Sequence, residues 1–381
     1  MSGYRHDDGG PVDLLCVCAP GLERLLQAEL KALGAGPTTP GRGTVQLTTT
    51  PAVALQIARW SRIAEAVRLQ IATFPARDVR ALDRGLAAAP LDAWLPARGA
   101  VRVDVACARS RLYHSGLVTE RLAEAVRACG RTPEISGAAR EAVAMLHLRL
   151  FRDEAVLRVE LAAARAHRRG WREHVGVASL RETVAAAILR ASGWQPREGG
   201  ALLDPCCGAG TILLEARAID AGIPPRDPRA LAVAQCDAGR RWGAGQAEAA
   251  AIGASRGAYL GSDRDPDAVA AARHNDASQR GRLSLPPLAL AVRDLADAIA
   301  DAPAGADLVC NLPWGKRTDD DAYATLRRVA GALRGRRDLG LVTVLDGSGR
   351  AHEAGLRGRP LLRYEQGGAK VTLLELRRRK G

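Results

Sequence analysis

Asn311-Leu312-Pro313-Trp314 closes the apolar run Asp307-Leu308-Val309-Cys310 and sets an amide, a proline turn and an aromatic ring side by side. The Asn311 side-chain oxygen and the Leu312 backbone carbonyl can accept both N–H bonds of a planar exocyclic amine, while the Trp314 indole stacks on the ring that carries it. The nitrogen lone pair then points outward, a geometry that suits methyl transfer to a base nitrogen. Taken alone, the tetrapeptide reads more readily as a strand end followed by an ordinary Pro turn.

Upstream, Ala201-Leu202-Leu203-Asp204 ends at an acid, Pro205-Cys206-Cys207-Gly208-Ala209-Gly210 follows, and an apolar helix pattern opens at Thr211. This is strand, glycine loop, helix, with the loop at the carboxyl end of a strand, where open α/β sheets bind ligands. Gly208 and Gly210 carry no Cβ to keep a ligand off the backbone. A dinucleotide fold would want a third glycine and an acid about 20 residues on. Asp204 instead precedes the loop, which fits a ligand with an amino-acid moiety and no pyrophosphate, such as S-adenosyl-L-methionine. The next acid at a strand end, Asp263 after Ala258-Tyr259-Leu260-Gly261-Ser262, is placed for two ribose hydroxyls.

In this order, Asp-Pro-Cys-Cys-Gly-Ala-Gly-Thr, Gly-Ser-Asp and Asn-Leu-Pro-Trp, the chain resembles the THUMP-containing class I methyltransferases, the tRNA and rRNA guanine-N2 methyltransferases. The resemblance covers nearly the whole chain. It extends to His167-Arg168-Arg169-Gly170-Trp171-Arg172, to Ser179-Leu180-Arg181-Glu182-Thr183, and through Gly315 to Lys316 and Arg317. In the amino half, Val101-Arg102-Val103-Asp104-Val105 leading to Ser110-Arg111-Leu112-Tyr113-His114 looks like the strand and loop of a THUMP domain. The resemblance implies a cofactor set of Asp204, Cys206, Gly208, Gly210, Thr211, Asp263, Asp294 and Asn311. Asp294, in Val292-Arg293-Asp294-Leu295, would meet the adenine amino group; its competing role is a helix N-cap. Catalysis would fall to Asn311, Leu312, Pro313 and Trp314. Two departures stand out: Leu312 replaces the first proline of the family motif, and the aromatic is Trp314. A backbone carbonyl survives a Pro to Leu change.

With 381 residues the chain holds two or three domains. No stretch of about 18 apolar residues and no signal-type leader is present, so a soluble cytoplasmic protein is expected; a monomer is expected as well. The net charge of +13 favours a polyanionic partner, yet only Lys31, Lys316, Lys370 and Lys380 stand among 55 basic residues, the pattern of GC-rich coding. Cys16, Cys18, Cys107, Cys129, Cys206, Cys207, Cys236 and Cys310 include no C-x-x-C pair and no His at ligand spacing, which argues against a metal site. A cytosine-C5 methyltransferase would need an activated thiolate near Cys206, Cys207 or Cys310, and nothing nearby clearly activates one.

Three regions organise the chain: residues 1–61, residues 62–165 and residues 166–381. The first reads as strand, helix, strand and helix, with residues 34–43 as a loop, and the resemblance makes it a ferredoxin-like α+β domain. The second holds the strand at Val101 to Val105 and a helix from Leu117 to Cys129. Between them Arg109, Arg111, Tyr113 and His114 suit a phosphate and a stacked base of single-stranded RNA, or simply a solvated connector. The resemblance makes this a THUMP RNA-binding domain and adds Arg168, Arg169, Lys316 and Arg317 as RNA contacts. The third opens with a Ser179-x-x-Glu182 capping box. Seven strand patterns follow, the last two close together, so a Rossmann-like, mostly parallel seven-stranded sheet with one antiparallel strand is expected, interrupted by an insert at residues 221–257. The leading expectation is an S-adenosylmethionine-dependent RNA guanine-N2 methyltransferase acting on tRNA. Its rivals are an rRNA guanine-N2 or adenine-N6 enzyme, a protein glutamine methyltransferase, and an RNA-binding protein with a decayed cofactor site.

Overall fold

The computed structural model describes residues 10–135, 142–162, 169–174, 180–246, 253–283, 285–313 and 322–377. Its contacts divide into two compact units, the first made of Met1–Cys18, Leu26–Ala166 and Pro225–Ala249, the second of Ala19–Leu25, His167–Pro224 and Ala250–Gly381.

The first unit is built on one eight-stranded sheet. Its elements are β1 (Val12–Val17), α1 (Glu23–Ala32), β2 (Thr38–Gly41), β3 (Thr44–Thr49), α2 (Pro51–Trp60), β4 (Ala66–Pro75), α3 (Val79–Ala88), α4 (Leu91–Trp94), β5 (Ala100–Ala108), α5 (Ser115–Ala128), β6 (Thr132–Glu134), β7 (Ala142–Phe151) and β8 (Glu154–Glu160). The strand order is β2-β3-β1-β4-β8-β7-β5-β6. Burial alternates along β1, where Val12, Leu14 and Cys16 face the core, as a half-covered strand demands. Thr50 caps α2 by accepting from the Val53 amide at 3.3 Å, with Pro51 at the first helical position. The expected loop at residues 34–43 contains the edge strand β2. Its sequence, Thr-Thr-Pro-Gly, hides the strand, because proline is tolerated only at a sheet edge.

The second unit holds α6 (Glu182–Ser192), β9 (Ala201–Asp204), α7 (Thr211–Asp220), β10 (Ala258–Asp263), α9 (Pro266–Leu283), β11 (Ala289–Val292), α10 (Leu295–Ala300), β12 (Asp307–Asn311), α11 (Ala322–Leu333), β13 (Val342–Asp346), β14 (Arg359–Gln366) and β15 (Ala369–Arg377); a short α8 (Asp237–Arg241) lies in the first unit. The seven strands run β11-β10-β9-β12-β13-β15-β14. The first five are mutually parallel, and β15 is antiparallel to both β13 and β14. All five residues of β13 are buried, which explains why the central strands read as continuous apolar runs. Among the described residues no helix is long and apolar enough to cross a membrane.

The expected capping box is corrected by the structure. Helix α6 begins at Glu182 with Arg181 as its cap, so Glu182 stands one position into the helix and cannot reach back as a third-position partner would. Its carboxylate lies 3.4 Å from the Arg172 guanidinium instead. Ser179 lies outside the described residues.

Most of the insert joins the first unit. Arg226, 8% exposed, donates to the carbonyls of Ala58 at 2.9 Å, Ser61 at 2.8 Å and Ala64 at 2.8 Å, and Trp242 meets Trp94 edge-on with ring centroids 4.8 Å apart. Removing this guanidinium leaves three inward carbonyls without their donor. We therefore expect Arg226→Ala to lower the unfolding free energy by about 3 kcal/mol or more, seen as a fall in the urea midpoint. An unchanged midpoint would mean that water replaces the guanidinium without cost.

Candidate active site

The parallel strands deliver their carboxyl ends to one edge of the sheet, where Asp204 ends β9, Asp263 ends β10 and Asn311 ends β12. Gly261 pairs with Asp204, and Leu308 pairs with Leu203. Counting along the register sets Asp263 and Asn311 level with Cys206, the start of the glycine loop. Three adjacent chains thus present an acid, a loop and an amide at one height.

The loop is fixed peptide by peptide. Cys207 N–H donates to the Ser262 carbonyl at 2.9 Å, Gly208 N–H to Asp263 Oδ2 at 2.9 Å, and Gly210 N–H to the Cys207 carbonyl at 2.8 Å. The two glycines serve different ends. Gly210, with φ +80°, caps α7 in the left-handed region, and an added Cβ would stand 3.4 Å from the Ala272 side chain of α9. Gly208 has φ +52°, and an added Cβ would meet nothing within 4 Å. Its outer face is therefore open for a ligand to approach the backbone. Thr211 opens α7, a helix whose first-turn amides need partners from outside it.

Asp204 is 1% exposed; it accepts from the Cys206 amide at 3.2 Å and interacts with the Cys310 thiol. Burial, the dominant cause, pushes its carboxyl up to about 7. Burial also pushes the Cys207 and Cys310 thiols up, opposite to what a thiolate nucleophile requires. Asp263 Oδ1 accepts from Asp265 N–H at 3.1 Å, so this partly buried carboxylate organises two turns. Asp294 is the N-cap of α10: Oδ1 accepts from Ala296 N–H at 2.8 Å and Oδ2 pairs with Arg328. Its carboxyl is held low by the Ala296 amide and Arg328, against the opposing effect of burial. Leu312 is buried and Pro313 half-buried; Trp314, Lys316 and Arg317 lie outside the described residues. A cavity bordered by Trp194, Tyr259 and Asp307 lies at the amino ends of the same strands, away from this edge.

Arg169 is a correction. Its guanidinium is fully buried, paired with Glu215 of α7 at 3.4 Å, and so cannot meet an RNA phosphate. Because α7 is covered nearly all round, Glu215 needs a buried cation. Arg168 lies outside the described residues. Arg172, next along, donates to Thr211 Oγ1 at 3.2 Å. Two contacts escaped the sequence reading, this one and Asn275, whose side chain reaches the Ala209 carbonyl at 3.1 Å. Arg172 lies in the basic stretch 167–172, where its partner could not be read, and Asn275 lies in no motif named above.

In the first unit, the loop after β5 is organised by the two-residue β7–β8 turn. Arg109, Arg152 and Asp153 all adopt positive φ, at 50°, 54° and 62°. Asp153 accepts from the Arg111 amide at 2.7 Å and lies 3.7 Å from its guanidinium, while Asp153 N–H donates to Ser110 Oγ at 3.1 Å. Tyr113 is 69% exposed, with its ring centroid 4.0 Å from that of His114. Arg149 and Arg152 both lie over the Phe151 ring, at 5.3 and 5.2 Å. Positive φ at both Arg152 and Asp153 is what the tight two-residue hairpin turn between β7 and β8 requires.

Comparison with known proteins places these features. Residues 169–328 match the RMKL-like methyltransferase domain, and residues 13–68 match the RlmL ferredoxin-like domain. The chain is 35% identical over 222 residues to the ribosomal RNA large subunit methyltransferase K/L of Syntrophotalea carbinolica, covering 56% of this chain and 31% of that protein. The K/L protein of Pseudomonas syringae pv. tomato is also 35% identical, over 57% of this chain and 30% of its own length. The chain spans about a third of the length of these curated relatives. Among solved structures, SMU.472 complexed with SAH superposes with a TM-score of 0.74 at 22% identity, over 97% of this chain and 99% of that one. TrmN from Thermus thermophilus gives 0.69 at 22% identity, over 96% and 99%. These two show a shared fold.

The buried carboxyl of Asp204 yields a pH prediction. Its folded pKa, about 7, lies above its ordinary 3.8, so the folded chain holds the proton more tightly. The stability it contributes is complete below the ordinary value and is lost as pH rises towards about 7. Asp204→Asn should keep the Cys206 hydrogen bond and gain on the native chain by up to about 4 kcal/mol between acid and about pH 8, at ~1.4 kcal/mol per pKa unit. Urea titrations of both proteins at the two pH values give the difference; parallel profiles would place Asp204 in water.

Proposed function

We propose that this chain is an S-adenosylmethionine-dependent RNA methyltransferase that modifies the exocyclic N2 of a guanosine. What carries the reading is the level placement of Asn311 with Cys206 and Asp263 on the edge where the glycine loop opens. The open face at Gly208 and the first-turn amides of α7 fit the amino-acid part of the cofactor. Asp263, at the end of the next strand, fits its ribose hydroxyls, and Asp294 would meet its adenine amino group. The match to a methyltransferase domain supports this cofactor, as does the SAH held by SMU.472.

When bound, the cofactor supplies a methyl group activated on a sulfonium, so the protein's work is orientation. Asn311 and the Leu312 carbonyl would hold the two amine hydrogens and Trp314 would stack on the base, which would leave the nitrogen lone pair available for the methyl group. Such positioning removes much of the barrier by itself. The proton leaves the positively charged product to water, so no general base is required.

Two readings of the RNA stand. The names of the K/L relatives favour large-subunit rRNA. The exposed loop of Arg109, Arg111, Tyr113 and His114, as the contact surface of a THUMP domain over residues 62–165, suits a single-stranded end and favours tRNA. A protein glutamine methyltransferase would have no use for this loop. Incubating the chain with labelled cofactor and either rRNA or tRNA, then identifying nucleosides by mass spectrometry, separates all of these.

Asn311→Ala should spare cofactor binding and slow single-turnover methylation about a hundred- to a thousandfold, as for the loss of one preorganised polar group. Asn311→Asp keeps an acceptor oxygen and should retain appreciable activity. Equal rates for Asn311→Ala and the native chain would remove the amine-holding role.

Replacing Arg109 and Arg111 together should weaken RNA binding and flatten its salt dependence by about one to two phosphate contacts, with cofactor affinity untouched. An unaltered salt slope would return the loop to a solvated connector.

A further inference from the structure

Asn275 lies on α9, fully buried, and all four hydrogen-bonding positions of its amide are engaged. Its Oδ1 accepts from the backbone amides of Glu173 and His174, each at 3.0 Å. Its Nδ2 donates to the His174 carbonyl at 2.9 Å and to the Ala209 carbonyl at 3.1 Å. Ala209 is the residue between the two loop glycines. One neutral side chain therefore ties the glycine loop to the stretch that enters the second unit. Neighbours on α9 reinforce the grip: Ser278 Oγ donates to Glu173 Oε1 at 2.8 Å, and His274 Nε2 lies 3.2 Å from Oε2.

The tie has a specific target. The peptide that joins Ala209 to Gly210 is held at its carbonyl by Asn275 and at its N–H by Cys207. Glycine accepts either sign of φ, so this peptide is one that can flip. A flip would swing the Ala209 oxygen out of the turn, where it would oppose an anionic group of a ligand. We propose that Asn275 is a positioning residue for the cofactor, one that presets the glycine loop by holding the Ala209 carbonyl inward. The inference rests on the cofactor reading above. Aspartate at this position would retain the acceptor for Glu173 and His174 but lose both donors and face two carbonyls with a negative charge.

Calorimetric titration with S-adenosylhomocysteine tests it. The native chain should bind at one site per molecule. Asn275→Asp and Asn275→Ala should weaken binding about tenfold, the effect of losing one buried hydrogen bond and its orientation, with stoichiometry preserved. A merely structural role would instead lower the stoichiometry as protein misfolds, leaving the affinity of the folded fraction unchanged, and that result overturns the proposal. Hydrogen exchange on the native protein needs no variant: the amides of Cys207, Gly208 and Gly210 should be protected before ligand is added. A loop protected only after ligand binds would also overturn the preset role. Failure of the native chain to bind would overturn the cofactor reading itself, a result distinct from equal binding by native and variant proteins.

Discussion

The hydrogen bond from Gly208 N–H to Asp263 Oδ2, 2.9 Å long, joins the loop after one strand to the end of its neighbour, and the working edge of the second unit is arranged around it. A carboxylate at the end of a parallel strand would ordinarily be only a ligand group. Here it also sets the backbone of the glycine loop, so a change at Asp263 would disturb the loop together with any contact the carboxylate makes to a ligand. Asp204, one strand over, is the complementary case: buried beneath the loop, it holds the turn at Cys206, and burial keeps it from ionising fully until the pH rises above about 7.

The first unit solves a different problem. Its exposed loop after β5 carries arginines and a tyrosine that would otherwise sample many conformations. The two-residue turn at Arg152 and Asp153 holds the loop at Ser110 and Arg111, by a carboxylate that accepts the Arg111 amide and a backbone N–H that engages Ser110. Strain in three non-glycine residues is offset by these contacts. The pairing also screens part of the Arg111 charge, which leaves Arg109 the more available cation.

Where sequence spoke clearly, it did so because one physical demand fixed both residue type and position. Parallel strands covered on both faces must be apolar throughout and must end at polar groups, so the runs ending at Asp204, Asp263 and Asn311 declared the sheet and its edge together. The failures share another cause. Arg169 reads as a surface cation in a basic stretch, and only the burial of Glu215, distant in sequence, makes it a core residue. Thr38–Gly41 has the composition of a loop and is a strand only because β3 supplies its partner. Asn275 sits in a helix with no apolar stripe and touches backbone alone, so nothing in its local sequence distinguishes it from a solvated asparagine. Asp294 caps α10, the role that stood as the alternative to its adenine contact and that a local sequence can show.

The excursion of Pro225–Ala249 bears on how the chain acquires its structure as it is made. Arg226 completes the carbonyl cluster at Ala58, Ser61 and Ala64 from as far as 168 positions away. A ribosome releases the amino terminus first, and domains normally fold in that order as they emerge. This amino-terminal unit cannot close its last contacts until the first strand and helix of the following unit have been synthesised. Maturation of the two units is thereby interleaved in time, with the earlier one left open until the later one has begun.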